Sequence, residues 1–290
     1  MTLGLCVLGV GVLGPGLADW GTGRHVLRDP STWRHAATVV PAPQRLPATE
    51  RRRAGTVVKA SIVVADQALV GSSTPDIDPA SLATVFASST GDPLNCHLLC
   101  EALASAERSV SPTRFTNSVH NAPAGYWHIA AQSGAASTSL AAFDASFAAG
   151  LLEAAVQCAA TQKALLLVAC DAPYPQPLHA LRPLDDVFAV ALLVAPSGGR
   201  ALQLRLGGPA TESAPRPTTT SSAPQGGMSK VAEPHLLMSI CAHAGLEAMR
   251  RSIPAARALP LLLALAGEGA SEVCIEVQGG PALHLSVAAE

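Results

Sequence analysis

Short apolar runs alternate with helical periodicities along this chain of 290 residues. Residues 3–10 are an apolar run that predicts a first strand ending in the glycine turn of Gly9, Gly11, Gly14 and Gly16. A short helix is predicted over 17–27, and residues 30–50 carry no period. From Arg51 to Val70 the apolar positions Val57, Val58, Ile62, Val63, Ala65 and Leu69 recur at helical spacing. Residues 82–87 read as a second buried strand, with helices over 93–107 and 119–132. Residues 188–195 and 201–206 flank Pro196-Ser197-Gly198-Gly199-Arg200, which predicts an antiparallel hairpin. Near the end come helices over 234–250 and 255–266, then strands over 272–277 and 282–287. Between the two halves, 209–230 is rich in Thr, Ser, Pro and Gly. Such a segment buries too little apolar surface to offset its ordering entropy, so it reads as a flexible linker.

The middle of the chain is the most telling. Residues 137–147, Ser-Thr-Ser-Leu-Ala-Ala-Phe-Asp-Ala-Ser-Phe, read as a buried strand turning sharply into a helix over about 144–158. Asp144 has the side-chain oxygen that an N-cap needs. Ala145, Ala148, Ala149 and Gly150 leave little bulk, which suits a helix packed closely on several sides. The run Ala-Leu-Leu-Leu-Val-Ala-Cys at 164–170 suits a parallel strand buried on both faces. Strand, helix and strand make one crossover unit, right-handed by the general rule.

Composition adds a partner to this picture. Charged residues make up 14% of the chain and hydrophobic ones 49%, against roughly 25% charged in an ordinary soluble domain. A surface so short of charge favours a large apolar interface with another chain. The net charge of −2 and 3% aromatic content offer no footprint for nucleic acid. Arg51, Arg52 and Arg53 read as a solvated face. Seven cysteines without a CxxC pair, most of them inside apolar strand or helix patterns, read as reduced core cysteines of a cytoplasmic protein. The apolar first 19 residues carry no cation and are broken by glycines, so neither a signal peptide nor a membrane span is expected.

Several segments resemble the β-ketoacyl-acyl carrier protein synthases. Residues 7–16, Val-Leu-Gly-Val-Gly-Val-Leu-Gly-Pro-Gly, followed by Trp20, are similar to the opening strand and turn of that family. Residues 111–125, Ser-Pro-Thr-Arg-Phe-Thr-Asn-Ser-Val-His-Asn-Ala-Pro-Ala-Gly, are similar to the segment those enzymes place at their dimer interface. Continued without a gap, the resemblance puts the family's Ala-Cys nucleophile pair on Ala142 and Phe143. A second register puts Ala136 there, leaving too many residues before the strand at 164–170; neither register has cysteine.

The family's two histidine motifs find no match either, although His235 and His243 are present. The resemblance therefore implies an α/β, thiolase-like fold, layered α-β-α, with a ketosynthase-like domain over 1–208 and a curtailed second half. After the linker, residues 231–290 would complete it. A close likeness is to the shortened chain length factors of aryl-polyene and related type II systems. It implies a non-catalytic subunit in a heterodimer with an active ketosynthase, meeting acyl carrier protein only indirectly and using no cofactor or metal. The implied interface or acyl-tunnel residues are Phe115, Thr116, Asn117, Ser118, Val119, His120, Asn121, Gly125, Tyr126 and Phe143. Tyr126, with Trp127, reads equally as core or as an interface anchor, and Phe143 as core or as a residue facing the chain.

Two rivals come from other classes. Gly9-Val10-Gly11-Val12-Leu13-Gly14 satisfies GxGxxG, the signature of a dinucleotide-binding oxidoreductase. Pro15 and Gly16 follow at once, and no acidic residue closes a second strand, which argues against it. Cys96 or Cys100 with His97 would suit a thiol acyltransferase, but neighbouring residues on one helix point in different directions.

Overall fold

In the computed structural model, residues 2–74, 77–207, 238–277 and 281–290 are described. The expected linker over 209–230 and His235 lie outside them. The first strand, β1 (Thr2–Leu13), runs on through the glycines expected to end it. A Cβ at Gly9 would stand 2.0 Å from the Ala68 carbonyl oxygen, and one at Gly11 2.0 Å from that of Val64. These glycines are a floor for a helix, and the turn comes later, at Gly14 and Gly16, where Gly16 has φ +68. A helix, α1 (Trp20–Arg28), follows, capped by Asp19 through a hydrogen bond from the Thr22 amide.

The expected helix over 51–70 is two helices. α2 (Ala48–Arg53) carries the three arginines, and α3 (Thr56–Val70) lies over the glycine floor. Next come β2 (Ala83–Ala87), α4 (Pro93–Ala104), α5 (Pro112–Thr116) and α6 (Ala122–Ala131). The corner segment gives β3 (Ser137–Leu140), then α7 (Ser146–Thr161), and β4 (Leu165–Asp171). α8 (Leu178–Leu181), β5 (Phe188–Ala195) and β6 (Arg200–Leu206) complete the first half. The tail holds α9 (Ala244–Ser252), α10 (Leu259–Ala266), β7 (Ser271–Ile275) and β8 (Leu283–Val287).

Among the described residues the strands form one sheet, in the order β3-β2-β4-β5-β1-β6-β8-β7. β3, β2 and β4 are parallel, and every later pairing is antiparallel. The expected hairpin of β5 and β6 is not formed. β1 lies between them, pairing Cys6 with Ala195 on one side and Val7 with Arg200 on the other. The chain therefore steps across β1 at Gly198 and Gly199. A Cβ at Gly199 would meet the Val7 carbonyl oxygen at 2.3 Å, and Gly198 takes φ +98.

Both faces of the sheet are covered, giving three layers. In β5 the residues Phe188, Val190, Leu192 and Val194 join the core beneath α7, α9 and α10, while Ala189, Ala191, Leu193 and Ala195 join the core beneath α3 and α6. That alternation lets a strand bury every side chain. The small alanines face α3, on the same side as the glycine floor, which is why α3 sits so close. α7 is central, as its composition predicts: a Cβ at Gly150 would already touch Ala87 Cβ at 2.9 Å. β3, expected to be buried, is instead the sheet's edge and is half-buried. The C-terminal segment belongs to the same sheet, because β8 pairs with β6.

Candidate functional site

The parallel strands β2, β3 and β4 end together, the edge at which α/β sheets usually hold ligands. Phe143 stands there, in the 3-10 turn Phe143–Ala145 between β3 and α7, with φ +49. A non-glycine residue in this left-handed region is uncommon and marks a sharp, strained corner. Ala136, the other candidate position, precedes β3 at the strand's opposite end. Asp144 does not cap the helix as expected. Ser146 clasps the corner instead, its Oγ donating to the Phe143 carbonyl (2.7 Å) and accepting from the Ala142 amide (3.0 Å).

Asp144 is freed for charge. Its Oδ1 accepts from Arg182 and its Oδ2 from Arg257 at 3.1 Å, while Arg257 also reaches Glu276 at 3.1 Å. Arg182 donates further to Ser89 Oγ (2.8 Å) and to the Tyr174 hydroxyl (3.3 Å). Its Cζ lies over the Phe143 ring, 3.9 Å from the centroid. Phe143 is 50% exposed, so it is not core. Neither arginine was legible in the sequence. No local pattern distinguishes a cation that folding brings to an aspartate from one that meets solvent.

Below the corner, Asp171 ends β4 and is fully buried. Its Oδ1 accepts from Ser88 Oγ (3.2 Å) and the Ser89 amide (2.7 Å). Burial pushes its carboxyl up to about 6, against the pull of the Ser89 amide, the Ser88 hydroxyl, the Ala255 amide and the Arg182 charge. His120 adjoins the same loop, its Nε2 lying 3.1 Å from the Ser88 carbonyl oxygen.

The segment from Phe115 to Asn121 is a short helix and turn. Phe115 is 70% and Val119 53% exposed, and Thr116, Ser118, His120, Asn121 and Gly125 are also at the surface. Asn117 and Tyr126 lie underneath. The Tyr126 hydroxyl donates to Asn117 Oδ1 at 3.0 Å, and Asn117 Nδ2 donates to the Arg53 carbonyl at 2.9 Å, closing the end of α2. Trp127 is completely buried, so both aromatics are core. Leu94, Leu103 and Ile129 add further exposed apolar surface on α4 and α6. Arg52 and Arg53 do face solvent, but they border a cleft of about 390 Å³ together with Lys59 and Arg114.

The rival readings lose their geometry. Gly9 and Gly11 lie inside β1 against α3, where no phosphate would reach them. Cys96 and Cys100 are exposed rather than core, contrary to expectation, and burial and the neighbouring Cys100 push the Cys96 thiol up. That is the wrong direction for a nucleophile. His97 turns to Glu101, 3.2 Å away. His243 caps α9, its Nδ1 accepting from the Gly245 amide, and meets Trp33 edge-on. Among the described residues no group of three or more His, Cys, Asp or Glu is placed to hold a metal, and no helix is long and apolar enough to cross a membrane.

Fold and corner together define a thiolase-like protein with a phenylalanine at the turn from β3 into its central helix. The chain belongs to the β-ketoacyl synthase N-terminal domain family, whose model matches residues 27–251. A search of curated proteins finds no match. Among solved structures, one similar chain comes from the ketosynthase ApeO in complex with its chain length factor ApeC from Xenorhabdus doucetiae. It has a TM-score of 0.66 at 20% identity, over 98% of this chain and 99% of that one. The ishigamide ketosynthase/chain length factor matches at 0.66 and 12% identity, over 99% of both chains. The AntDE:AntF complex, a type II polyketide acyl-carrier protein with its ketosynthase bound to the hexaketide, matches at 0.70 and 12% over all of both. At these identities the likeness is one of fold.

Proposed function

We propose that this chain is a non-catalytic β-ketoacyl synthase-like subunit, a chain length factor, which pairs with an active ketosynthase and bounds the tunnel that holds the growing acyl chain. The observation that carries the reading is the corner. A ketosynthase needs a thiol at that helix start, where the dipole favours thiolate, and backbone donors to hold the developing oxyanion. Phe143 has no lone pair to offer, and the charged groups around it are committed to one another.

A bounding role needs only shape, and a half-exposed ring at the end of a sheet supplies it. The exposed apolar side chains of Phe115 and Val119 support a heterodimer through the 115–125 segment, since a monomer gains nothing from presenting them to water. Tyr126 and Asn117 serve this interface by holding its shape from beneath. Seven unpaired cysteines favour a reducing compartment, the cytoplasm. Acyl carrier protein would deliver substrate to the ketosynthase and meet this chain indirectly.

Reconstitution tests the proposal. Partner ketosynthase and malonyl-acyl carrier protein are assayed with and without this chain, and product length is read by mass spectrometry. Loss of activity or altered length without the chain is expected; identical activity and length would overturn the reading.

A further inference from the structure

We infer that Arg182 is a specificity-determining positioning residue, one that fixes the Phe143 ring and through it the length at which the acyl tunnel closes. The inference rests on the function proposed above and deepens it.

Phe143 is held unusually. Its backbone has no freedom to swing, because φ is +49 and Ser146 Oγ binds both the Phe143 carbonyl and the Ala142 amide. What remains free is the ring. A residue whose ring served only packing would be buried, yet Phe143 is 50% exposed. Its contact with charge is the Arg182 guanidinium, 3.9 Å from the centroid. A cation over an aromatic face at that distance favours the stacked position by about twofold to thirtyfold, according to how dry the site becomes.

Arg182 is itself unable to follow the ring. It is tied to Ser89 Oγ after β2, to Asp144 beside the corner and to the Tyr174 hydroxyl after β4. Those anchors come from separate elements around the end of the sheet, and the side chain is mostly buried. A planar fork can make these bonds while its Cζ stays over the ring, a combination that a compact ammonium does not match. One face of Phe143 is therefore fixed by the protein, and the other is left for the acyl chain.

Charge balance at Asp144 is a separate role, which the choice of variants distinguishes. R182K keeps a cation near Asp144, where Arg257 also remains, but loses the flat cover over the ring. R182A loses both. Each variant, with F143A and the double variant F143A/R182A, is assembled with the ketosynthase, and the distribution of product lengths is measured.

F143A is expected to lengthen the products. R182A and R182K are expected to broaden the distribution toward longer chains while total condensation stays within about twofold of wild type, because no reacting group is touched. The double variant should match F143A alone, since Arg182 acts through the ring. Wild-type product lengths from a working R182K complex would overturn the inference, and so would a double variant that adds the two shifts. If R182A fails to assemble, R182K with F143A/R182K decides by the same comparison. A wild-type chain that neither joins the ketosynthase nor changes its products would overturn the proposed function instead, and this inference with it.

Discussion

Asp144 and Arg257, 113 residues apart in the chain, meet at 3.1 Å beside the corner at Phe143. Arg257 belongs to the tail and also holds Glu276, just beyond β7. The tail thus braces the corner, and its effect can be measured. R257M should cost about 1–3 kcal/mol, the range for losing charge-assisted hydrogen bonds. Equilibrium urea unfolding checks this, and a midpoint unchanged from wild type would show that Arg182 alone suffices for Asp144.

Cysteine at the corner should not restore condensation. F143C would place a thiol at the start of α7, but the family's histidine motifs are absent from the sequence and Arg182 and Arg257 are already engaged with Asp144. The variant is expected to show no acyl transfer above wild type, with radiolabelled acyl carrier protein as the assay. Covalent acylation followed by turnover would contradict it.

Stability should depend on pH through Asp171. Its carboxyl lies at about 6 in the fold against an ordinary 3.8, so the folded state holds the proton more tightly. The stabilisation is complete below 3.8 and is lost as pH rises through 6. A shift of about two units corresponds to about 3 kcal/mol. D171N lacks this term, so the stability of wild type relative to D171N should fall between pH 4 and 7. Parallel pH profiles of the two proteins would exclude the effect.

F115D tests the interface. Phe115 is 70% exposed, so the isolated chain should unfold as wild type does. Burying the new carboxylate against a partner should weaken the heterodimer about tenfold to a hundredfold. Sedimentation with the ketosynthase measures this, and unchanged affinity would remove Phe115 from the interface.

The glycine floor should tolerate nothing larger. G11A sets a methyl 2.0 Å from the Val64 carbonyl oxygen, and backbone has no rotamer by which to yield. A loss of about 3 kcal/mol or more is expected from forcing α3 off the sheet. G4A, at a position with open space, is the matched control and should unfold near wild type.

Much of this architecture is legible along the chain, because burial leaves a local imprint. Leu165 to Cys170 reads as a strand covered on both faces, and the small residues of α7 read as a central helix; both follow from side chains that must avoid water wherever they sit. The phenylalanine at the corner is equally local, a matter of which residue stands at the turn. Along the chain Gly9 and Gly11 read as part of a turn because glycine serves a bend and a close approach equally, and the choice between them belongs to α3.

Pairing and convergence were decided elsewhere. Residues 188–206 carry all the marks of a hairpin, yet β1 separates the two strands, because a backbone hydrogen-bond donor has no preference between a near partner and a far one until the chain is folded. Asp144 likewise reads as a helix cap in isolation. In the fold no side chain caps α7: Ser146 clasps the turn before it, and the aspartate goes to two arginines that no periodicity connects with it. Sequence by itself determined most of the buried strands and the central helix, though not that β3 lies at an edge, and it determined that no thiol stands at the corner, since hydrophobicity and side-chain chemistry are properties of single positions. Only the tertiary structure decided what surrounds Phe143, since long-range contacts form when separate elements share one sheet edge.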